Sequence, residues 1–157
     1  MTELMAIPWV SILFQLLLTA GGIVLFAVGA LSNKRPQSLL CVLALIFVLA
    51  AGAAALLLDG GREAFLQMLD VTGYARFFNV LIALVTALTV LLAHRHVVLR
   101  QVAGDEFYGL VLYAALGMSL VAGATHWLVF FLGFELLSLS FYVLVAVRKQ
   151  DFYGNEA

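Results

Sequence analysis

Glu135 lies in residues 107–147, a run of 41 that holds no other charged side chain. It follows Thr125 by ten residues and precedes Arg148 by thirteen, about 15 and 20 Å along a helix rising roughly 1.5 Å per residue. That is the middle of a hydrocarbon layer, where insertion scales put the cost of a charged group at about 2.5–3.5 kcal/mol. A carboxyl retained at that depth faces protein or water, and is protonated or paired. Ser138 and Tyr142 follow at i+3 and i+7 on roughly the same helix face. A carboxyl, a hydroxyl and a phenol in that order can organise water for proton or ion transfer, or can satisfy one another at a helix interface. No Lys or Arg stands at the same depth in any other apolar run, so the partner of Glu135 is missing, in another chain, or replaced by water.

The remaining ionisable residues are weaker candidates. His94 and His96 flank Arg95 at a helix end, where headgroup contact competes with a proton relay. His126 precedes Glu135 by nine residues and is nearly opposite it on a helical wheel. Asp59, Glu63 and Asp70 belong to one connection, while Asp105 and Glu106 open a helix, where negative charge favours the free amides. None has metal-ligand spacing with a second residue, and there is no P-loop or dinucleotide-binding glycine fingerprint. The single Cys41 sits inside an apolar run, which excludes a disulfide framework or a cysteine-based metal site within one chain.

The elements that position Glu135 follow from where charge is absent. Of the 157 residues 65% are hydrophobic and 11% charged, and the mean hydropathy is +1.13, the composition of a membrane protein. A soluble enzyme with its own cleft and a nucleic-acid binder with a basic face are both excluded on this balance. Charge-free runs cover residues 4–33, 36–58 and 77–94, besides the interrupted run at 107–147. A hydrocarbon core of about 30 Å takes roughly 20 helical residues, so the longest run must hold two spans, with the break at the small and polar residues 122–126. Five spans are expected, at about 6–31, 37–58, 75–94, 107–123 and 127–147. They are helices, because their apolar residues are continuous where a barrel strand would alternate.

The first run ends in Ala27, Val28, Gly29 and Ala30, small residues like those of a cleavage site. Its lead-in has Glu3 and no Lys or Arg, and it is far longer than a signal sequence's apolar core; a retained helix is expected. With alternating spans, Lys34, Arg35, Arg95, Arg100, Arg148 and Lys149 share one side, and only Arg62 and Arg76 take the other. The positive-inside bias puts the N-terminus outside and the C-terminus in the cytoplasm. Gly21, Gly22 and Gly29, with the small residues 50–55, offer surfaces for close helix approach. Trp9 and Trp127 on the outer side, and Phe107 and Tyr108 on the inner side, suit headgroup depth; Phe141 and Tyr142 read as helix-interface filling.

A resemblance rests on two stretches. Gly104-Asp105-Glu106-Phe107-Tyr108-Gly109-Leu110-Val111-Leu112 continues through Ala115-Leu116-Gly117-Met118 to Phe131-Leu132-Gly133-Phe134-Glu135-Leu136-Leu137-Ser138-Leu139-Ser140. Leu69-Asp70 with Arg76-Phe77-Phe78 resembles the entry to a third helix. Together they resemble the N-terminal portion of subunit N of respiratory complex I, the NADH-quinone oxidoreductase subunit N or NADH dehydrogenase subunit 2 family. The match is dense over 104–147 and looser before it.

The resemblance implies an all-α, polytopic transmembrane helix bundle, a fragment of an antiporter-like subunit. Residues 1–103 would form a three-helix membrane region, and 104–157 the start of the antiporter-like helical unit, two helices plus a cytoplasmic tail. The implied function is a membrane subunit of a proton-pumping NADH-quinone oxidoreductase in a bacterial inner membrane. The chain itself would hold no cofactor: FMN, iron–sulfur clusters and quinone are implied for partner subunits. Its partners would be other complex I membrane subunits, antiporter-like ones among them, and membrane lipids, with no nucleic acid. The family's intramembrane glutamate falls on Glu135 and is thought to work with a lysine on a later helix. This sequence carries no counterpart of that helix, so the isolated chain is expected to be inactive. A scaffold subunit without transport, or a component of a Mrp-type cation/proton antiporter, are the alternative readings.

Overall fold

In lipid no water is present to satisfy backbone amides, so each long apolar run has to close its own hydrogen bonds as a helix. The computed structural model describes residues 12–31, 37–57, 63–64, 68–70, 72–100 and 104–149. Five helices account for nearly all of them: α1 Leu13–Leu31, α2 Gln37–Leu57, α3 Gly73–Arg100, α4 Gly104–Gly123 and α5 Trp127–Lys149. Each contains a stretch long and apolar enough to cross a membrane. The expected all-α bundle of five long apolar helices is therefore the observed one. Trp9, Lys34, Arg35, Asp59, Arg62 and the tail 150–157 lie outside the described residues.

Two departures come from polar segments. α3 continues past its expected end at residue 94 to Arg100, because nothing in residues 95–100 breaks a helix once the chain has left the apolar layer. Between α2 and α3, β1 Glu63–Ala64 pairs antiparallel with β2 Leu69–Asp70, with Glu63 opposite Asp70 and Ala64 opposite Leu69. Strands of two residues leave no alternation to read in a sequence.

This hairpin marks one end of the bundle. Leu69 bridges to Ala124, and the Thr125 backbone N–H donates to the Met68 carbonyl at 3.1 Å, which ties the hairpin to the α4–α5 turn. Asp70 then starts α3: its Oδ1 accepts from the Thr72 N–H and its Oδ2 from the Thr72 hydroxyl, both at 2.8 Å. In the first turn of α3, Arg76 donates from Nε to the Ala55 carbonyl at 2.7 Å and from a terminal nitrogen to the Leu56 carbonyl. A cation thus meets the C-terminal carbonyls of α2, where orphan acceptors and the helix dipole favour it.

α4 is the centre, packed against each of the other four helices. Of its apolar window 56% is buried, against 11% for α5. Leu18, Leu25, Leu40, Val48, Val90 and Leu112 fill the space around it. Gly21 and Gly22 let α1 approach closely, as their type suggested: a Cβ on Gly21 would stand 2.8 Å from Phe47 and Leu112, and one on Gly22 2.7 Å from the Tyr113 ring. Only one stripe of the small-residue tract in α2 packs, through Ala51 and Gly52, while Ala50 and Ala53 are exposed. Large apolar side chains such as Val42, Ile46, Leu49, Leu84 and Leu88 face outward, a surface suited to hydrocarbon rather than water.

Candidate functional site

Glu135 owes its direction to two glycines. Where α5 crosses α4, a Cβ on Gly117 would lie 2.8 Å from both the Gly133 carbonyl oxygen and the Leu137 amide nitrogen; one on Gly133 would lie 2.8 Å from the Leu120 Cβ and 3.0 Å from the Val121 amide nitrogen. The two backbones touch, and Gly133 and Ser140 are the buried face of α5. Glu135 comes two residues after Gly133, about 200° around a helix of 3.6 residues per turn. It therefore points away from α4 and is exposed, amid Phe131, Leu139 and Phe141. Eight residues follow the start of α5 before it and fourteen remain after it, so it sits mid-span as expected.

The expected polar stripe is only partly a unit. The Ser138 hydroxyl donates to the carbonyl of Phe134 at 2.8 Å, within its own helix. Tyr142 is 71% exposed. Neither bonds to Glu135, which among the described residues makes no hydrogen bond or ion pair. Trp127, Phe130 and Phe134 stack in sequence on the same helix, with ring centroids 5.3 and 6.5 Å apart and planes within 18°.

Two buried polar clusters were not anticipated. Gln15 Nε2 donates to Ser119 Oγ at 2.9 Å, and Ser119 Oγ donates to Asn79 Oδ1 at 2.7 Å, joining α1, α4 and α3 in the bundle interior. All three are at least nine-tenths buried, with Ser119 only 1% exposed, and Gln15 Oε1 has no partner. The available signal was a lone amide or hydroxyl inside an otherwise apolar run.

The second cluster corrects the reading of Tyr108 as a headgroup anchor. Tyr108 is fully buried, its hydroxyl 3.1 Å from His94 Nδ1 and near the buried Cys41 thiol. The phenol ties α4 to α3 at the end opposite the hairpin, and His94 serves that tie rather than a headgroup. The His96 side chain lies outside the described residues. His126 begins α5: its Nδ1 accepts from the Leu128 N–H at 3.2 Å, and its carbonyl from the N–H groups of Val129 and Phe130. Among the described residues no three His, Cys, Asp or Glu side chains come together as a metal site.

Four apolar helices around a central α4, with one mid-span carboxyl on the outer face of the last, define a polytopic membrane protein. No family model matches the sequence, but individual relatives do. The NADH-quinone oxidoreductase subunit N of Geotalea uraniireducens (strain Rf4) is 36% identical over 156 residues, 98% of this chain and 32% of that protein. Subunit N of Desulfitobacterium hafniense (strain DSM 10664 / DCB-2) is also 36% identical, over 91% of this chain and 29% of its own length. Subunit N 2 of Koribacter versatilis (strain Ellin345) is 31% identical over 92% of this chain and 31% of that protein. The chain matches the NADH-quinone oxidoreductase subunit N family over nearly all of its length, and spans about a third of the length of these relatives.

Proposed function

We infer that the chain is a non-redox membrane component of a proton-pumping NADH:quinone oxidoreductase and that Glu135 carries protons within it. The observation that supports this most is the position of that carboxyl: mid-span, rotated away from α4, and without a partner among the described residues. A carboxyl so placed is stable only where protein or water covers it. The reading therefore puts a further membrane segment, bearing a cation or ordered water, against α5. Electrons would move elsewhere: FMN, iron–sulfur clusters and quinone would belong to other subunits of the assembly, and the chain's own neighbours in the membrane would include other antiporter-like subunits. The six-to-two distribution of Lys and Arg supports an outside N-terminus and a cytoplasmic C-terminus in a bacterial inner membrane. Residues 1–103 then form a three-helix membrane region, and 104–157 begin the antiporter-like unit with two helices and a cytoplasmic tail.

Glu135→Gln in the intact assembly keeps the side chain's size and removes its titration. The expected result is a several-fold fall in proton uptake per electron with the assembled complex still recovered. Normal uptake per electron at normal turnover rejects the transfer role. Loss of assembled complex, with unchanged activity per complex that remains, supports a scaffold instead.

A further inference from the structure

Glu135 divides the outer face of α5 into two halves of different chemistry. Toward the hairpin end, the positions three, four and seven residues before it hold Leu132, Phe131 and Leu128, all apolar and all exposed, and all within about 60° of it around the helix. The stacked rings of Trp127, Phe130 and Phe134 run along the neighbouring stripe. Toward the opposite end, the positions three and seven residues after it hold Ser138 and Tyr142, with Leu139 beside them and the small, exposed Ala146 next in line before α5 ends at Lys149. α5 packs on α4 through its other face, at Gly133 and Ser140, so these two halves are what the chain presents on either side of the carboxyl.

Water stays inside a membrane only where polar groups hold it: a buried water takes roughly two to four polar partners, and an apolar cavity stays dry. From Glu135 to Leu128, a rise of about 10 Å, the hairpin half offers no side-chain hydrogen-bonding group on this face. The opposite half offers one at about 4.5 Å and another at about 10.5 Å along the axis. The Ser138 hydrogen is taken by the Phe134 carbonyl, which leaves its oxygen to accept from a water. The Tyr142 hydroxyl, on a side chain 71% exposed, has no partner among the described residues, and a phenol both accepts and donates. We propose, resting on the transfer role inferred for Glu135, that the carboxyl exchanges its proton through the Lys149 end of α5, along water held by Ser138 and Tyr142, and that Leu128, Phe131 and Leu132 close the hairpin side. In each transfer a water gives one proton to the Glu135 carboxylate and takes one from the next water or from the Tyr142 hydroxyl, which is refilled from water at the helix end. One proton enters, no bond to carbon changes and no electron moves. A proton bound for the hairpin side then has to leave through the partner of Glu135 rather than along α5.

The test uses the full-length protein in its native assembly, in sealed vesicles of both orientations. Glu135→Cys, in a Cys41→Ala background, is exposed to a small charged methanethiosulfonate from one side at a time, and Arg148→Cys in the same vesicles marks the side that carries the Lys149 end of α5. The α5 peptide of Glu135→Cys should gain the reagent's mass only from the side that labels Arg148→Cys; gain from the hairpin side, from both sides or from neither overturns the proposal. Proton uptake per electron tests it independently, even where Glu135→Cys does not assemble. Tyr142→Phe combined with Ser138→Ala should lower uptake several-fold at unchanged assembly yield, and Ser138→Thr in place of Ser138→Ala, which restores the hydroxyl, should recover part of the loss. A fall that Ser138→Thr fails to recover is structural and overturns the path. Normal uptake in the double variant, where Glu135→Gln lowers it, also overturns the path but leaves Glu135 as the carrier. Normal uptake in Glu135→Gln removes the transfer role itself, and the path falls with it.

Discussion

The Ser119 hydroxyl accepts from Gln15 and donates to Asn79, so one small side chain gives each of two buried amides a partner. Ser119→Ala leaves both amides short of a partner, at a cost of about 1–3 kcal/mol for buried polar groups; interhelical hydrogen bonds in membranes average nearer 0.6 kcal/mol, so the lower end is expected. Ser138→Ala removes only a bond to the carbonyl four residues back and should be close to neutral. Thermal inactivation of the detergent-solubilised assembly compares the two, and equal shifts would deny the interior chain a structural role. Tyr108→Phe keeps the ring in the core and removes the link to His94, so about 0.5–1.5 kcal/mol is expected, read by the same measurement. Glu135 could be singled out from the sequence because a lone charge in an apolar run is a one-dimensional signal. The other polar groups were visible only as letters: Gln15 and Ser119 are 104 positions apart, and their meeting depends on how the helices pack. Tyr108 misled because phenols suit both headgroups and cores, and only the tertiary fold decides between them.

α5 holds to the bundle through one helix face, which makes the Gly117–Gly133 crossing decisive for where Glu135 points. A Cβ at either position would press on backbone atoms that cannot give way as a flexible side chain could. Gly133→Ala should destabilise by about 1–3 kcal/mol, the range for overpacking, and Gly133→Leu should swing α5 away from α4. If Glu135 is the proton carrier, the alanine variant should lower proton uptake per electron before assembly fails. Unaltered uptake and stability in Gly133→Leu would mean that the close approach does not position the carboxyl. At the start of α3, Asp70→Ala should cost about 1 kcal/mol through loss of the cap on Thr72, again read by thermal inactivation. The helices could be read in advance because lipid removes every alternative to them, so run length and charge were enough. The hairpin and the outer turns of α3 lie where water competes for the backbone, and there composition alone did not decide the structure.

On the whole molecule, the outward apolar surface is not uniform, and Glu135 breaks its symmetry. The face of α2 presents Val42, Ile46 and Leu49, all compatible with lipid chains. The face of α5 presents Phe131, Leu139 and Phe141 around Glu135, and placing that carboxyl against lipid would cost about 2.5–3.5 kcal/mol if charged. The first face can border the bilayer; the second needs protein or water over it. The Lys and Arg bias sets the frame for both, and cysteine labelling from either side of intact membranes should find positions beside Lys34 and Arg148 on the same, cytoplasmic side; labelling from opposite sides would break the even number of crossings, four, expected between them. In the native assembly, single fluorophores at Ile46 and at Leu139 should respond differently to a quencher carried on lipid chains, with Ile46 quenched and Leu139 shielded. Equal quenching at the two positions would leave α5 open to lipid, and with it would go the reason for seating a partner of Glu135 on that side of the bundle.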